Sequence, residues 1–164
     1  MAFVVEDGSG KSDANAYSTT AFADTYHADR GNSAWAGGTA DKEAALIRAT
    51  DYLEANFPWA TGWKASQDQA LGWPRASASD KDGYPFGSDE VPVVVQQATA
   101  ELAAKALTAE LRPDETRATK REQVGPLEVE YFGRAMATSY KQVEGMLRGL
   151  TTGLGGGVVE VIRS

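Results

Sequence analysis

Two groups of residues in this sequence could carry chemistry: a glycine-rich stretch holding a lysine and a hydroxyl, and a scatter of ionisable and aromatic side chains. Gly8-Ser9-Gly10-Lys11-Ser12 closes the way a phosphate-binding loop closes. Such a loop needs another glycine five residues before Gly10, with a buried strand ahead and a helix behind, so that successive backbone N–H groups wrap the phosphates. Val5 stands at that place, and Glu6 and Asp7 put negative charge where the anion would sit. Their field repels phosphate. Asp13 to Ala16 then reads as a turn, because Asp and Asn side chains compete for nearby backbone groups. The stretch is expected to be a polar turn after a short strand, not a nucleotide site.

The ionisable residues form no recognisable machinery. His27 is the single histidine; beside Tyr26 and Asp29 on a predicted helix it has no serine or acid in register, so a triad is excluded and an inert surface position is expected. Asp51 with Glu54, and Asp80 with Asp82, are carboxylate pairs, but neither sits in a calcium loop with its closing glutamate. The Asp80-Lys81-Asp82-Gly83 turn could hold a cation weakly at best. Trp35, Trp59, Trp63 and Trp73 could line a ligand pocket, although aromatics in a small domain more often fill its core. There is no cysteine, which removes disulfides, thiolate metal sites and thiol nucleophiles. The expectation is a protein that is not an enzyme and uses no metal and no cofactor.

The chain has 164 residues, 42% of them hydrophobic and 24% charged, enough for one domain with a real core. No apolar run approaches the ~20 residues that span a bilayer, and the first residues lack the pattern of a signal peptide, so no membrane contact is expected and assembly in a cytoplasm is. The formal charge of −7 is unevenly spread. Residues 1–60 hold nine acids and four bases and 61–111 hold seven and four, whereas 112–164 hold seven acids and eight bases. Arg112, Arg117, Lys120 and Arg121 form the densest basic run, without an aromatic among them; it reads first as a solvated loop.

The elements that would position these residues are mainly helical. Ala2 to Val5 suggests an edge strand. Ser18 is placed to cap a helix over 19–29, and Thr39 or Asp41 to cap one over 42–56, with Leu46, Ala49, Thr50, Leu53 and Phe57 at helical spacing and Pro58 as its stop. The two are expected to pack antiparallel. Residues 58–90 read as irregular, with "QALGWPR" burying Leu71 and Trp73, followed by a long polar loop. The spacing predicts the longest helix over 90–111, with Pro92 near its first turn and Val91, Val95, Ala98, Leu102 and Ala106 down one face. Its small residues allow close approach of a second helix. "EQVGPLEVEYF" alternates and reads as a strand pair or a kinked strand, with Leu127, Val129 and Tyr131 on one side. Ser139 should cap a helix over 140–150. The fold class expected is mainly α, a small bundle with a long central helix, short strands and an extended tail.

Residues 1–152 are read as one helical domain and 153–164 as a glycine-tethered arm. Gly155 to Gly157 make a flexible spacer, yet Val158, Val159, Val161 and Ile162, with Glu160 and Arg163 between and after them, are strong strand formers. An apolar strand on a tether suits pairing with the sheet edge of a partner, although pairing with its own N-terminal strand or disorder also fits the pattern.

Five segments in order, "VVEDGSGKSDANAYSTTAFADTYHADRG", "EAALIRATDYLEANF", "QALGWPR", "DEVPVVVQQATAELAAKAL" and "VGPLEVEYF", resemble a family of tailed-phage and prophage proteins. That family is catalogued as DnaT-like single-stranded DNA-binding proteins, and its fold is similar to the head-to-tail adaptors of long-tailed phages. The resemblance covers about residues 2 to 150. The adaptor likeness implies a ring of about twelve copies between the portal protein and a tail-side connector or stopper, in the virion neck, with DNA sliding through the lumen. The catalogue name implies a replication accessory protein that binds single-stranded DNA. On the adaptor reading, Val158, Val159, Glu160, Val161, Ile162 and Arg163 dock on the portal, and Leu127, Val129, Tyr131, Tyr84 and Phe86 contact neighbouring subunits or the tail side. The acidic charge and the absence of an interleaved basic and aromatic platform favour the adaptor.

Overall fold

The computed structural model of the protein describes residues 2–112, 122–124, 127–129 and 140–152, with the two short middle pieces described in their backbone alone. Four helices make the body: α1 (Thr20–Asp29), α2 (Thr39–Asn56), α3 (Val93–Ala106) and α4 (Lys141–Met146). Two antiparallel pairs of short strands accompany them, β1 (Trp63–Lys64) with β2 (Arg75–Ala76) and β3 (Glu122–Val124) with β4 (Leu127–Val129). The fold is mainly α.

Helix α3 is central. Val95, Ala98, Thr99, Ala100, Leu102, Ala103, Ala104 and Ala106 are all buried, so it is covered on several faces, and α1, α2 and α4 all pack on it. The alanines let those neighbours approach closely, and α2 adds Leu46, Ala49 and Leu53 to the same core. Val143 and Leu147 close it from the α4 side.

Helix ends depart from the sequence expectation for local reasons. Thr19, not Ser18, caps α1; its hydroxyl accepts from the Phe22 N–H at 3.0 Å. Helix α2 starts earlier than expected, at Thr39 behind Gly38, and with 18 residues it is the longest. Helix α3 has 14 residues rather than the expected run over 90–111. Pro92 is its N-cap in an extended conformation, and a proline also pushes the preceding Val91 out of the helical region. At the other end Lys105 O accepts from the N–H groups of both Thr108 and Ala109 and from the Thr108 hydroxyl, a local arrangement that competes with another helical turn. Helix α4 likewise covers only part of the expected 140–150; its cap residue is Tyr140, and Gly149 turns the chain at φ 99°.

The irregular middle contains order that the sequence pattern hid. Trp63 lies opposite Ala76 and Lys64 opposite Arg75. The return strand continues to a bridge between Ser79 and Pro85, with Phe86 N–H donating to Ala78 O at 2.9 Å. The result is a three-pass meander over residues 61–64, 75–79 and 84–86. Gly62 is required in it: its φ is 58°, and a Cβ there would lie 2.2 Å from Ala76 O.

The expected N-terminal edge pairs within its own chain. Val5 bridges Ala16 in parallel, and Val4 O accepts from the N–H groups of Asn15 and Ala16 at 2.8 and 3.2 Å. The predicted strand pair near residue 125 is present, with Val124 opposite Leu127 and Glu122 opposite Val129. Tyr131, the cap residue Ser139 and the arm from Val158 to Arg163 lie outside the described residues.

Candidate functional site

The loop that resembles a phosphate site does wrap an anion, and the anion is its own. Glu6 is buried at 2% exposure. Its Oε1 accepts from the N–H groups of Gly8 and Gly10, both at 2.9 Å, and its Oε2 from the Lys11 N–H at 2.8 Å. Gly8 and Gly10 take φ values of 102° and 73°, which turn their amides inward. The Lys11 ammonium goes to Val5 O and to Asp7, each at 2.8 Å. Lys11 and the Ser9 hydroxyl hold the Asp7 carboxyl far below its usual range. The sequence places the Glu6 charge where an anion would sit, and the structure shows the carboxylate itself filling the cradle and taking the Gly8, Gly10 and Lys11 amides. An acid two and four residues ahead of the glycines was the signal.

A second polar knot fastens the meander to the helices. The Glu54 carboxylate accepts from the Tyr17 hydroxyl, from Trp59 Nε1 at 2.9 Å and from the Gly72 N–H at 3.0 Å. The same Tyr17 oxygen accepts from the Trp73 N–H at 3.1 Å. Burial, then the Glu54 charge, pushes the Tyr17 hydroxyl far up, and burial with Glu54 nearby raises the Asp51 carboxyl. Trp73 is buried and meets Trp59 and Phe86 edge-on, with ring centroids 5.9 and 5.6 Å away. Arg75, buried beside them, donates to the carbonyls of Thr61, Gly72 and Gly62 at 2.6, 3.2 and 2.7 Å, and desolvation lowers its pKa. Nothing in the sequence pattern marked Arg75 as structural.

His27 is not at the surface. It is 2% exposed, donates from Nε2 to Ala100 O at 3.0 Å and accepts at Nδ1 from the Asn32 amide at 3.1 Å. The two hydrogen bonds fix the loop after α1 against α3, which is why the lone histidine is a core residue. Beside it, Tyr26 donates to the buried Glu101 carboxylate at 2.9 Å; burial and that bond push the Tyr26 hydroxyl up to about 12.

Two large aromatics remain outward on the meander. Trp63 is 63% exposed and Tyr84 73%, while Trp35 and Trp73 are buried and Trp59 is half-buried. Of the residues expected to make contacts, Tyr84 is therefore available, whereas Phe86 packs on Trp73 as part of the core. Leu127 and Val129 lie on β4. Asp80 closes the turn: its Oδ1 accepts from the N–H groups of Asp82 and Tyr84, at 2.9 and 2.8 Å. Among the described residues no group of three or more histidine or acidic side chains is placed to share a metal ion, and no helix is long and apolar enough to cross a membrane.

Most basic side chains of the described body have a partner within the fold. Residues 2–112 and 140–152 carry 17 acids and 11 bases. Lys11 and Lys42 pair with Asp7 and Asp24, and Lys81 pairs with Asp82. Arg48, Lys64 and Arg75 donate to backbone carbonyls. Arg30 lies over the Tyr26 ring at 3.5 Å and Lys105 over the Tyr140 ring at 5.9 Å.

A family model described as "Putative DnaT-like ssDNA binding protein" matches residues 1–164. The chain belongs to this DnaT-like family. No curated protein and no solved structure matches it. The family match agrees with the resemblance read from the five segments; it carries no sign of a phage connector. On the described body of this DnaT-like protein, the exposed Tyr84 follows the acidic Asp80–Asp82 turn, and the exposed Trp63 lies opposite Ala76.

Proposed function

We propose that the protein is a non-catalytic structural component of a phage neck, a head-to-tail adaptor assembled as a ring through which DNA passes. The observation that carries this reading is the disposition of charge. Eight of the eleven bases of the described body are engaged by its own carboxylates, carbonyls or rings, and acids outnumber bases. A wall of that kind gives sliding phosphates no hold. The tight alanine-rich packing around α3 supplies a rigid subunit, and the arm from Val158 to Arg163 is assigned to the portal. Deleting residues 153–164 should leave thermal unfolding unchanged and abolish attachment to filled heads; attachment that survives the deletion removes the arm from the account.

The family description favours a second reading, single-stranded DNA binding, and favours it more directly than it does the adaptor. In that case the basic run from Arg112 to Arg121 is the contact, since most of the body's cations are engaged elsewhere. Negative-stain images of the protein mixed with portal, together with a titration of labelled oligodeoxythymidine at two salt concentrations, separate the two. Rings with negligible oligonucleotide binding support the adaptor. Tight binding that weakens steeply with salt supports the family description.

A further inference from the structure

His27 is the single histidine of the chain, and two hydrogen bonds of opposite sense hold it at 2% exposure. Nε2 donates to Ala100 O of α3 at 3.0 Å, and Nδ1 accepts from the Asn32 amide at 3.1 Å. A neutral imidazole satisfies both, because one nitrogen carries a proton and the other a lone pair. A protonated ring satisfies only the first: Nδ1 becomes a second donor and meets the donor end of the Asn32 amide. Turning that amide over would present its oxygen to the new donor, but the oxygen already accepts from the Ala34 N–H at 3.1 Å. The bond cannot be inverted without loosening the turn elsewhere.

The surroundings decide which side yields. The charged groups around the ring are Asp24 and Arg30 on α1, Lys42 on α2 and Glu101 on α3. Arg30 lies over the Tyr26 ring, Lys42 pairs with Asp24, and Glu101 accepts from the Tyr26 hydroxyl. The Asp24 carboxylate attracts a proton to His27, and the Trp35 ring beside it, with centroids 5.1 Å apart, favours a cation as well. Ser33, Ala34 and residues 36–38 are exposed and have room to move, whereas the contact with α3 is buried. Opening on the loop side admits water to the charged ring, which offsets the cost of burying it.

We propose that His27 is a proton-operated latch: a proton taken up from solvent at Nδ1 parts Asn32 from the ring and frees the turn from Gly31 to Ala34, while Nε2 keeps α1 fastened to α3. The connection between α1 and α2 then has a closed form at neutral pH and an open one on acidification. The latch depends on neither reading of the function.

Hydrogen exchange and the ring-nitrogen NMR signals of the full chain, followed from about pH 8 to about pH 5, test it. Asp24 stays ionised over that range, because its carboxyl is held below the usual value. The N–H groups of Gly31, Asn32, Ala34 and Trp35 report on the turn, since they donate to Ala28 O, His27 O, Asn32 Oδ1 and Asn32 O. Their protection should fall about tenfold as the ring takes up its proton, the loss of one hydrogen bond, with amides in the middle of α3 unchanged. Asn32→Ala should show the low protection already at the higher pH and no further fall. Asn32→Asp replaces the amide donor by an acceptor, so its turn should tighten on acidification instead. A ring that stays neutral throughout, protection that persists once the ring is charged, a loss shared equally by α3, or an Asn32→Asp turn that loosens as the wild type does each overturns the proposal.

Discussion

Replacing Glu6 by alanine strands three backbone N–H groups in a buried cradle, which should cost about 2–3 kcal/mol in urea unfolding. Glu6→Gln keeps an acceptor oxygen and should lose less; an alanine variant as stable as the wild type contradicts the cradle. Asp24 gives a pH signature. It accepts from Lys42 and from Trp35 Nε1, both at 2.7 Å, and Lys42 then Trp35 hold its carboxyl below the usual value. A depressed carboxyl stabilises the fold above its unfolded pKa of about 3.9, and the contribution fades as pH falls below that value. Asp24 is half exposed, so the effect is under about 1 kcal/mol. Thermal unfolding at neutral pH and near pH 3 should show Asp24→Asn destabilised at the first and close to wild type at the second. Residue types and spacing read residues 8–12 as a polar turn, but they could not show that Glu6 turns inward, because that depends on where Gly8 and Gly10 aim their amides.

At the scale of elements, the Tyr17 hydroxyl joins two parts of the fold that are distant in sequence. Tyr17→Phe removes a donor to Glu54 and the acceptor of the Trp73 N–H, and should cost about 1–2 kcal/mol. Hydrogen exchange at the Trp73 amide should quicken in that variant while amides in the middle of α2 stay protected; uniform quickening would mean that the knot belongs to the global core. Leu102→Ala, in the fully buried face of α3, should cost about 2–5 kcal/mol by the same unfolding measurement. The helices were legible because apolar residues recur at helical spacing over several turns, as from Leu46 to Phe57. Their ends were less so, since Pro92 and Thr108 act through conformations that periodicity does not encode. The meander was illegible: two-residue strands show no alternation, and its stability comes from Trp73 and Arg75, whose partners are fixed only in three dimensions.

For the whole molecule, function turns on where charge is left free. The mainly α class and the segment order were readable in the sequence, and the order pointed to the family that the full-length match then showed. The engagement of the body's cations was not readable, since a lysine beside an aspartate in space looks like any lysine in sequence. The account therefore predicts a protein that recognises its own kind more strongly than it recognises DNA. Sedimentation with a fluorescein-labelled oligodeoxythymidine present, at low salt, reads both properties in one run. The account predicts that the protein associates as its concentration rises while the label sediments as free oligonucleotide. A monomer that carries the label with it, and releases it as salt is added, would contradict the account.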